Sequence, residues 1–240
     1  MIYFYCLKWG TKYSHEYVNR LYGSLIKHCK QKFKLTCITD DNTNLNENIC
    51  TVEYNTFDPF IYPKDRLFTR EKAVIMHRYT DEYNFILDLD ILIHNDISCL
   101  IETLNDKPKF IWTEWTPKDQ LEGFGFGLRC FINSSLVGWK GENAKFIYEH
   151  IDNNKEKVFY TYDSFDRYVF YQLWRKNKID LWDVNWFYNY NSSIPKYKFN
   201  KNSLCCIFNT SHTKYSNRIE TELHEATGWA KELWTSYGRL

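Results

Sequence analysis

The stretch Tyr83–Ile93, which reads Y-N-F-I-L-D-L-D-I-L-I, decides the expected fold. Three consecutive apolar residues, Phe85–Leu87, are typical of a strand that is buried on both faces of a parallel sheet. Asp88 and Asp90 follow directly. In an extended chain these two positions face the same side, so the sequence predicts that both carboxylates are directed at one point while Leu89 packs inward.

A pair of neighbouring carboxylates favours a bound cation. The two charges repel each other unless a positive group lies between them, and a hard divalent ion such as Mg²⁺ or Mn²⁺ is the usual partner. Such an ion is commonly held by one or two carboxylates together with substrate phosphates. Ligands of open α/β sheets also bind beyond the carboxyl ends of strands. The pair therefore predicts a metal-dependent reaction on a phosphate-bearing substrate, although the same triplet also occurs in turns with two solvated acids.

The composition is that of one globular domain, and we treat residues 1–240 as a single domain. Hydrophobic residues make up 44% of the 240 positions and charged residues 25%, which allows one well-filled core. The formal net charge is +1, and no basic run resembles a nucleic-acid-binding arm, so we expect no nucleic-acid partner. The aromatic content of 19% is compatible with a carbohydrate or nucleotide ligand, although most of these rings are expected in the core.

The cysteines and the hydropathy pattern favour a cytoplasmic protein. None of the eight cysteines forms a C-x-x-C pair, which favours buried free thiols in a reducing compartment. The apolar run Ile2–Leu7 has no preceding basic region and no cleavage site. No stretch approaches the ~20 apolar residues of a membrane span. We therefore expect no membrane-spanning segment.

Hydrophobic periodicity predicts alternating strands and helices in the first half of the chain, which favours a βαβ arrangement. The predicted strands are Ile2–Leu7, Phe33–Ile38, Ile49–Tyr54, Phe85–Leu87, Lys109–Thr113, Arg129–Asn133 and Leu204–Phe208. The predicted helices are Ser14–Lys30, Thr69–Tyr79, Ile97–Leu104, Glu142–Ile151, Asp163–Lys176 and Thr227–Trp234. Between the last two helices, the aromatic-rich chain to about Asn202 is predicted to be irregular.

Five motifs stand in a fixed order along roughly the first 140 residues. They are C-L-K-W-G-T-K-Y-S-H-E-Y-V-N-R-L-Y at Cys6–Tyr22, L-T-C-I-T-D-D at Leu35–Asp41, R-E-K at Arg70–Lys72, F-I-L-D-L-D at Phe85–Asp90 and N-S-S-L-V-G-W at Asn133–Trp139. Together they resemble nucleotide-sugar-dependent glycosyltransferases of the GT-A type, a bacterial and phage group related in pattern to the family 8 enzymes. The resemblance implies an α/β, Rossmann-like fold with a mixed, mainly parallel central sheet flanked by helices.

The resemblance also implies a donor site in the first half of the chain, residues 1–140. Asp88 and Asp90 would hold Mn²⁺ or Mg²⁺, with His212 as a further ligand, and Lys72 would add positive charge near the diphosphate. The loops after the first two strands would hold the nucleoside of a UDP-sugar donor. The residues concerned are Lys8, Trp9, Thr39, Asp40 and Asp41.

Residues 141–240 would bind the acceptor, a carbohydrate or another hydroxyl compound, in a transfer of the hexosyltransferase type. Asn133 would contact the substrate, and a carboxylate, Asp163 or Asp166, would stabilise an oxocarbenium-like sugar or accept the proton of the acceptor hydroxyl. The sequence does not decide between these two aspartates. The late segment I-F-N-T-S-H-T-K at Ile207–Lys214 departs from the F-H-G and Lys-Pro pattern of the relatives.

Two other functions are compatible with the same residues. Phosphatases of the haloacid-dehalogenase type also use a strand that ends in D-x-D, with the first aspartate as nucleophile and the second as general acid. Their motif continues with Gly and Thr near the N-terminus, whereas Ile91 and Leu92 follow here. The second alternative is a non-catalytic carbohydrate-binding module, in which Asp88 and Asp90 would be dispensable for ligand binding.

Overall fold

The computed structural model describes residues 1–56, 69–113, 130–193, 195–208 and 223–239. In these residues seven strands form a central sheet in the order β3-β2-β1-β4-β7-β6-β8. Its strands are β1 (Ile2–Lys8), β2 (Phe33–Thr39), β3 (Cys50–Glu53), β4 (Tyr83–Leu87), β6 (Lys109–Trp112), β7 (Ile132–Trp139) and β8 (Asp180–Leu181). All neighbouring pairs are parallel except the two that involve β7. The expected mixed, mainly parallel sheet is therefore confirmed.

The direction of β7 determines where polar side chains gather. Because β7 is antiparallel to β4 and β6, it begins at the edge of the sheet where the parallel strands end. The carboxyl ends of β1, β2 and β4 and the amino end of β7 therefore lie along one edge.

A second, three-stranded sheet follows the order β5-β10-β9, with β5 at Ile91–Ile93, β9 at Phe187–Asn189 and β10 at Cys205–Ile207. The apolar residues on either side of Asp88 and Asp90 thus belong to two sheets, β4 in the first and β5 in the second. The chain between them, Asp88–Asp90, is the connection. This arrangement corrects the expectation that both carboxylates lie on one extended strand.

Helices flank both faces of the central sheet. They are α1 (His15–His28), α2 (Glu71–Arg78), α3 (Ser98–Glu102), α4 (Lys145–Asn153), α5 (Lys155–Thr161), α6 (Phe165–Tyr168) and α7 (Gly228–Tyr237). The helical path of α6 continues through one π-helical and one 3-10 segment to Lys176. Each helix predicted from periodicity is present close to its predicted bounds, and among the helices of the described residues α5 is the one that the pattern did not indicate.

Alternation along the strands divides the apolar residues between two cores. On β1, Phe4 and Cys6 face a core shared with α1, α3, α7 and the second sheet. The intervening Tyr5 faces a core shared with α2, α4, α5 and α6. The same alternation on β4 places Phe85 and Leu87 in the first core and Ile86 in the second. Asp88, two residues after Ile86, therefore lies on the side of α2.

Two sequence predictions about strands were wrong. The strand predicted at Arg129–Asn133 is Ile132–Trp139, because the triplet Asn133-Ser-Ser resembles a turn although Ser134 and Ser135 are buried within the strand. The same strand contains Gly138, where a larger residue does not fit, because a Cβ there would be 2.7 Å from Trp182 Cζ2. The chain after Lys176, predicted to be irregular, contains the short strands β8 and β9.

The eight cysteines are all free thiols, and five of them are buried. This agrees with the expectation of free thiols. Among the described helices, none has the length and apolar character needed to cross a bilayer.

Candidate functional site at the carboxyl edge of the sheet

The Asp88–Asp90 segment forms a turn that links the two sheets. Leu89 is 3% exposed and packs into the core, as predicted, whereas both aspartates are partly exposed. The backbone N–H of Asp88 donates to the carbonyl of Ser135 at 2.8 Å, which extends the β4–β7 pairing by one residue. Asp90 accepts a hydrogen bond on its carbonyl from Phe208 N at 2.9 Å. The turn is therefore anchored on both sides while its carboxylates lie at the surface.

Lys72 of α2 is a buried partner of this turn. Its Nζ lies 2.7 Å from Asp88 Oδ1, and it donates to Ser134 O at 2.9 Å and to Ser134 Oγ at 3.0 Å. An ammonium group has three donor hydrogens, and these contacts use all of them. Lys72 is 3% exposed, so it is a buried group and not a solvated surface charge. Its positive charge acts on the site through Asp88.

Asp166 joins the same network, and Asp163 does not. Ser134 N donates to Asp166 Oδ1 at 3.1 Å. Burial of the carboxyl group raises the pKa of Asp166 above its usual range; the charge of Lys72 and the Ser134 hydrogen bond oppose this shift, and the charge of Asp88 adds to it. Asp163 instead has an exposed carboxylate that pairs with Arg167 at 2.5 Å.

Ser134 is a residue of this network that sequence reasoning missed. It connects Lys72 to Asp166 through its backbone and its hydroxyl group. The available signal was its place in the N-S-S-L-V-G-W motif, directly after Asn133. Asn133 lies at the same edge of the sheet, where its Oδ1 accepts from Ser135 N at 2.9 Å.

Hydrogen bonds join the loops after β1 and β2 at the same edge of the sheet. Lys8 is buried and donates to Asp41 O at 3.1 Å, and Thr39 Oγ1 donates to the same carbonyl at 2.8 Å. Asp40 Oδ2 accepts from Gly10 N at 2.8 Å. The structure thus brings these four predicted nucleoside residues together, and their contacts shape the loops.

Trp9 is the aromatic member of this group. It is 46% exposed, and its ring stacks on Tyr54 with centroids 5.5 Å apart and an interplanar angle of 19°. Tyr54 is fixed in turn, because its hydroxyl donates to Glu71 Oε1 at 2.6 Å. Sequence reasoning did not identify Tyr54, which lies outside the quoted motifs. The pair forms an aromatic platform at the edge of the sheet.

The donor set of the turn fits a hard divalent cation. Asp88 uses one carboxylate oxygen for Lys72, and Asp90 accepts a long 3.4 Å hydrogen bond from Tyr13 on Oδ2. Within the described residues, no group of three or more His, Cys, Asp and Glu side chains is placed to hold a metal ion. His212 lies outside the described residues. Two carboxylates suffice where substrate phosphates and water supply the remaining ligands.

Comparison with known proteins shows the fold. No protein family and no curated protein matches the sequence. Among solved structures, the apo-form glycosyltransferase GlyE of Streptococcus pneumoniae TIGR4 is similar over 100% of this chain and 60% of its own, with 15% identity and a TM-score of 0.59. The galactosyltransferase LgtC, in complex with donor and acceptor sugar analogues, matches 99% of this chain and 95% of its own, with 12% identity and a TM-score of 0.58.

The bifunctional glycosyltransferase WbbM in its apo form is similar over 99% of this chain and 49% of its own, with 11% identity and a TM-score of 0.62. The chain thus spans about 60% of the length of GlyE and about half of WbbM. These similarities establish the fold class that the motifs predicted: a mixed α/β fold of the GT-A glycosyltransferase type.

Proposed function

We propose that the protein is a metal-dependent glycosyltransferase that transfers a hexose from a UDP-sugar to a hydroxyl group of an acceptor. One observation carries the proposal: Asp88 and Asp90 lie in a turn at the carboxyl edge of a GT-A sheet, beside Lys72 and Asp166. Ligands of open α/β sheets bind at this edge. The fold favours this function over the phosphatase and the carbohydrate-binding module that the sequence also allows.

The donor would lie between the aromatic platform and the turn. The exposed face of Trp9 would stack on the base, while the loops fastened by Lys8, Thr39 and Asp41 would surround the ribose. Asp40 holds Gly10 in place and would shape this loop. The base, the ribose and the diphosphate would then lie in this order along the edge of the sheet, from the ends of β2 and β1 to the end of β4.

Asp88 and Asp90 would hold Mn²⁺ or Mg²⁺ against the diphosphate. When bound, the ion neutralises the charge that develops on the leaving nucleoside diphosphate. Lys72 balances part of the charge of Asp88 and fixes the orientation of that carboxylate. The two residues therefore present a preformed ligand rather than one that must order when the substrate binds.

Asp166 is the carboxylate that we assign to the reacting sugar. It lies in the network of Lys72 and Asp88, whereas Asp163 faces solvent. Asp166 would stabilise an oxocarbenium-like sugar or accept the proton of the acceptor hydroxyl. Asn133 would donate to a sugar hydroxyl from the start of β7. We place the reaction in the cytoplasm, since free cysteines favour a reducing compartment.

Calorimetry with UDP and GDP, each with and without Mn²⁺, tests the proposal. We expect manganese-dependent UDP binding that is lost in Asp90→Ala and retained in Asp106→Asn, which changes an exposed carboxylate elsewhere. If the folded protein binds neither nucleotide in the presence of Mn²⁺, the proposal is wrong and phosphatase assays become the next step.

A further inference from the structure

The segment between β9 and β10 exposes two large aromatic side chains. Tyr197 and Phe199 are each 47% exposed and lie in the segment 195–202, between β9 and β10. Most aromatic residues of the described chain are buried or half-buried. Exposed aromatic patches on a folded surface mark interaction sites.

The two rings are held in place from beneath. Phe199 lies 5.0 Å from the ring of Trp229 and 4.9 Å from that of His94, between centroids. Trp229 Nε1 donates to Tyr197 O at 3.0 Å, and Tyr197 N donates to Tyr190 O at 2.9 Å. Tyr197 also has a φ of 58°, a left-handed conformation that is uncommon for a bulky residue. The fold therefore holds this ring at the surface at a cost in backbone energy.

Exposed lysines alternate with the two aromatic residues along the chain. The segment reads P-K-Y-K-F-N-K-N and contains three exposed lysines and no acidic residue. We call this set the Tyr197 surface; it consists of Lys196, Tyr197, Lys198, Phe199, Lys201 and the underlying Trp229.

We propose that the Tyr197 surface docks the protein on an anionic lipid bilayer. Amphipathic aromatic rings settle at the headgroup level of a membrane, and lysines nearby are attracted to anionic headgroups. The segment combines two exposed rings with three exposed lysines, and this combination matches a surface that is apolar within and negative at its boundary. A polyanion such as a nucleic acid would match the lysines alone.

The Tyr197 surface is linked to the Asp88–Asp90 turn by packed rings. Tyr197 and Tyr190 have centroids 5.2 Å apart, and Tyr190 stacks on Phe208 at 4.6 Å. Phe208 N donates to Asp90 O at 2.9 Å. Docking would hold the turn close to the bilayer. If the proposed transfer function holds, the acceptor is then a hydroxyl compound presented at that membrane, such as a glycolipid.

Sedimentation with vesicles tests the docking. The full chain is mixed with vesicles of phosphatidylcholine alone or of phosphatidylcholine with phosphatidylglycerol. We expect binding to the anionic vesicles only, and weaker binding at high salt, because salt screens the lysines. No binding to anionic vesicles, or equal binding to both kinds, overturns the proposal.

Two variants separate the surface from general charge effects. The first variant is the double substitution Lys196→Glu and Lys198→Glu, and the second is Tyr197→Asn. Each should weaken binding to anionic vesicles by roughly tenfold or more. Asn tolerates the left-handed backbone of Tyr197. The matched controls are Lys176→Glu with Lys178→Glu, and Tyr160→Asn, where the tyrosine is 76% exposed. An equal loss in the controls would show that the Tyr197 surface is not the docking site.

Calorimetry on the same variants distinguishes this proposal from the proposed function. The docking variants should bind UDP and Mn²⁺ as the wild-type chain does, because they lie outside the donor site. Vesicle binding without nucleotide binding would contradict the transferase and leave the docking supported. Nucleotide binding without vesicle binding would contradict the docking alone.

Discussion

Lys72 Nζ lies 2.7 Å from Asp88 Oδ1, so a buried lysine of α2 supports the first carboxylate of the D-x-D turn. The side chain of Lys72 is 4% exposed and that of Asp88 is 31% exposed. One member of the pair is therefore fixed inside the protein while the other reaches the surface. This asymmetry makes the lysine a positioning group for a carboxylate that is open to a ligand.

Replacement of Lys72 by Met should weaken both stability and nucleotide binding. The change keeps the length of the side chain but leaves Asp88 and two acceptor atoms of Ser134 without their donor. We expect a loss of about 2 kcal/mol in the free energy of unfolding, since Asp88 is partly solvated. Urea unfolding measures it. Lys34→Met, at an exposed position of β2, is the control and should stay within about 0.5 kcal/mol.

Asp166→Asn and Asp163→Asn should separate the two candidate carboxylates. Asn at 166 can still accept the hydrogen bond from Ser134 N, so the fold is kept. We expect transfer activity to fall about 10²-fold or more in Asp166→Asn and to change little in Asp163→Asn. A larger loss in Asp163→Asn would move the assignment to the exposed carboxylate.

The raised pKa of Asp166 has a consequence for stability. The carboxyl group of Asp166 keeps its proton to higher pH in the folded chain than in the unfolded chain, so its contribution to the free energy of unfolding is largest below the pKa of the unfolded chain. This contribution is lost as the pH rises through the raised pKa of the folded chain. Asp166→Asn should remove this dependence, which unfolding measured at several pH values would show.

His94 should make the protein less stable in mild acid. Burial lowers the pKa of His94 from 6.5 to about 4, and neither ring nitrogen has a hydrogen-bond partner in the described part of the chain. Between these two pH values His94 is protonated in the unfolded chain and neutral in the folded chain. The free energy of unfolding should therefore fall by up to about 3 kcal/mol as the pH drops from 6.5 to 4.

The substitution His94→Phe tests that cause. Phe keeps an aromatic ring and cannot be protonated, so the variant should lose less stability in acid than the wild-type chain. The reference is about pH 8, where histidine is neutral in both the folded and the unfolded chain. There the free energies of unfolding of the two proteins should differ far less than in acid. An unchanged acid dependence in the variant would assign the effect to other groups, such as His28, whose pKa burial also lowers to about 4.

Gly23→Ala should loosen the contact between α1 and α7. A Cβ at Gly23 would overlap the backbone carbonyl of Tyr237, which cannot rotate away as a side chain can. We expect a destabilisation of about 1–3 kcal/mol, measured by thermal unfolding. Ile26→Ala on the same helix, where Ile26 is 44% exposed, should cost less than about 1 kcal/mol. Similar losses in both variants would contradict the close helix contact.

Much of the fold could be predicted because the pattern of the residues is local. The apolar run before Asp88 predicted β4, and the stripe of α1 predicted that helix, since both depend on periodicity alone. The strand β7 was misplaced because Asn133-Ser-Ser has the composition of a turn. Only its neighbours on β4 and β6 show that Ser134 and Ser135 are paired within a sheet.

The sequence by itself determined the fold class and the pair Asp88 and Asp90, because order and spacing along the chain carry that information. The tertiary structure decided which distant groups join them. It buried Lys72 against Asp88, placed Asp166 rather than Asp163 in the same hydrogen-bond network, and showed Ser134 between Lys72 and Asp166. The physical reason is that the antiparallel β7 brings its amino end to the carboxyl end of β4, and a contact across such an edge depends on strand order.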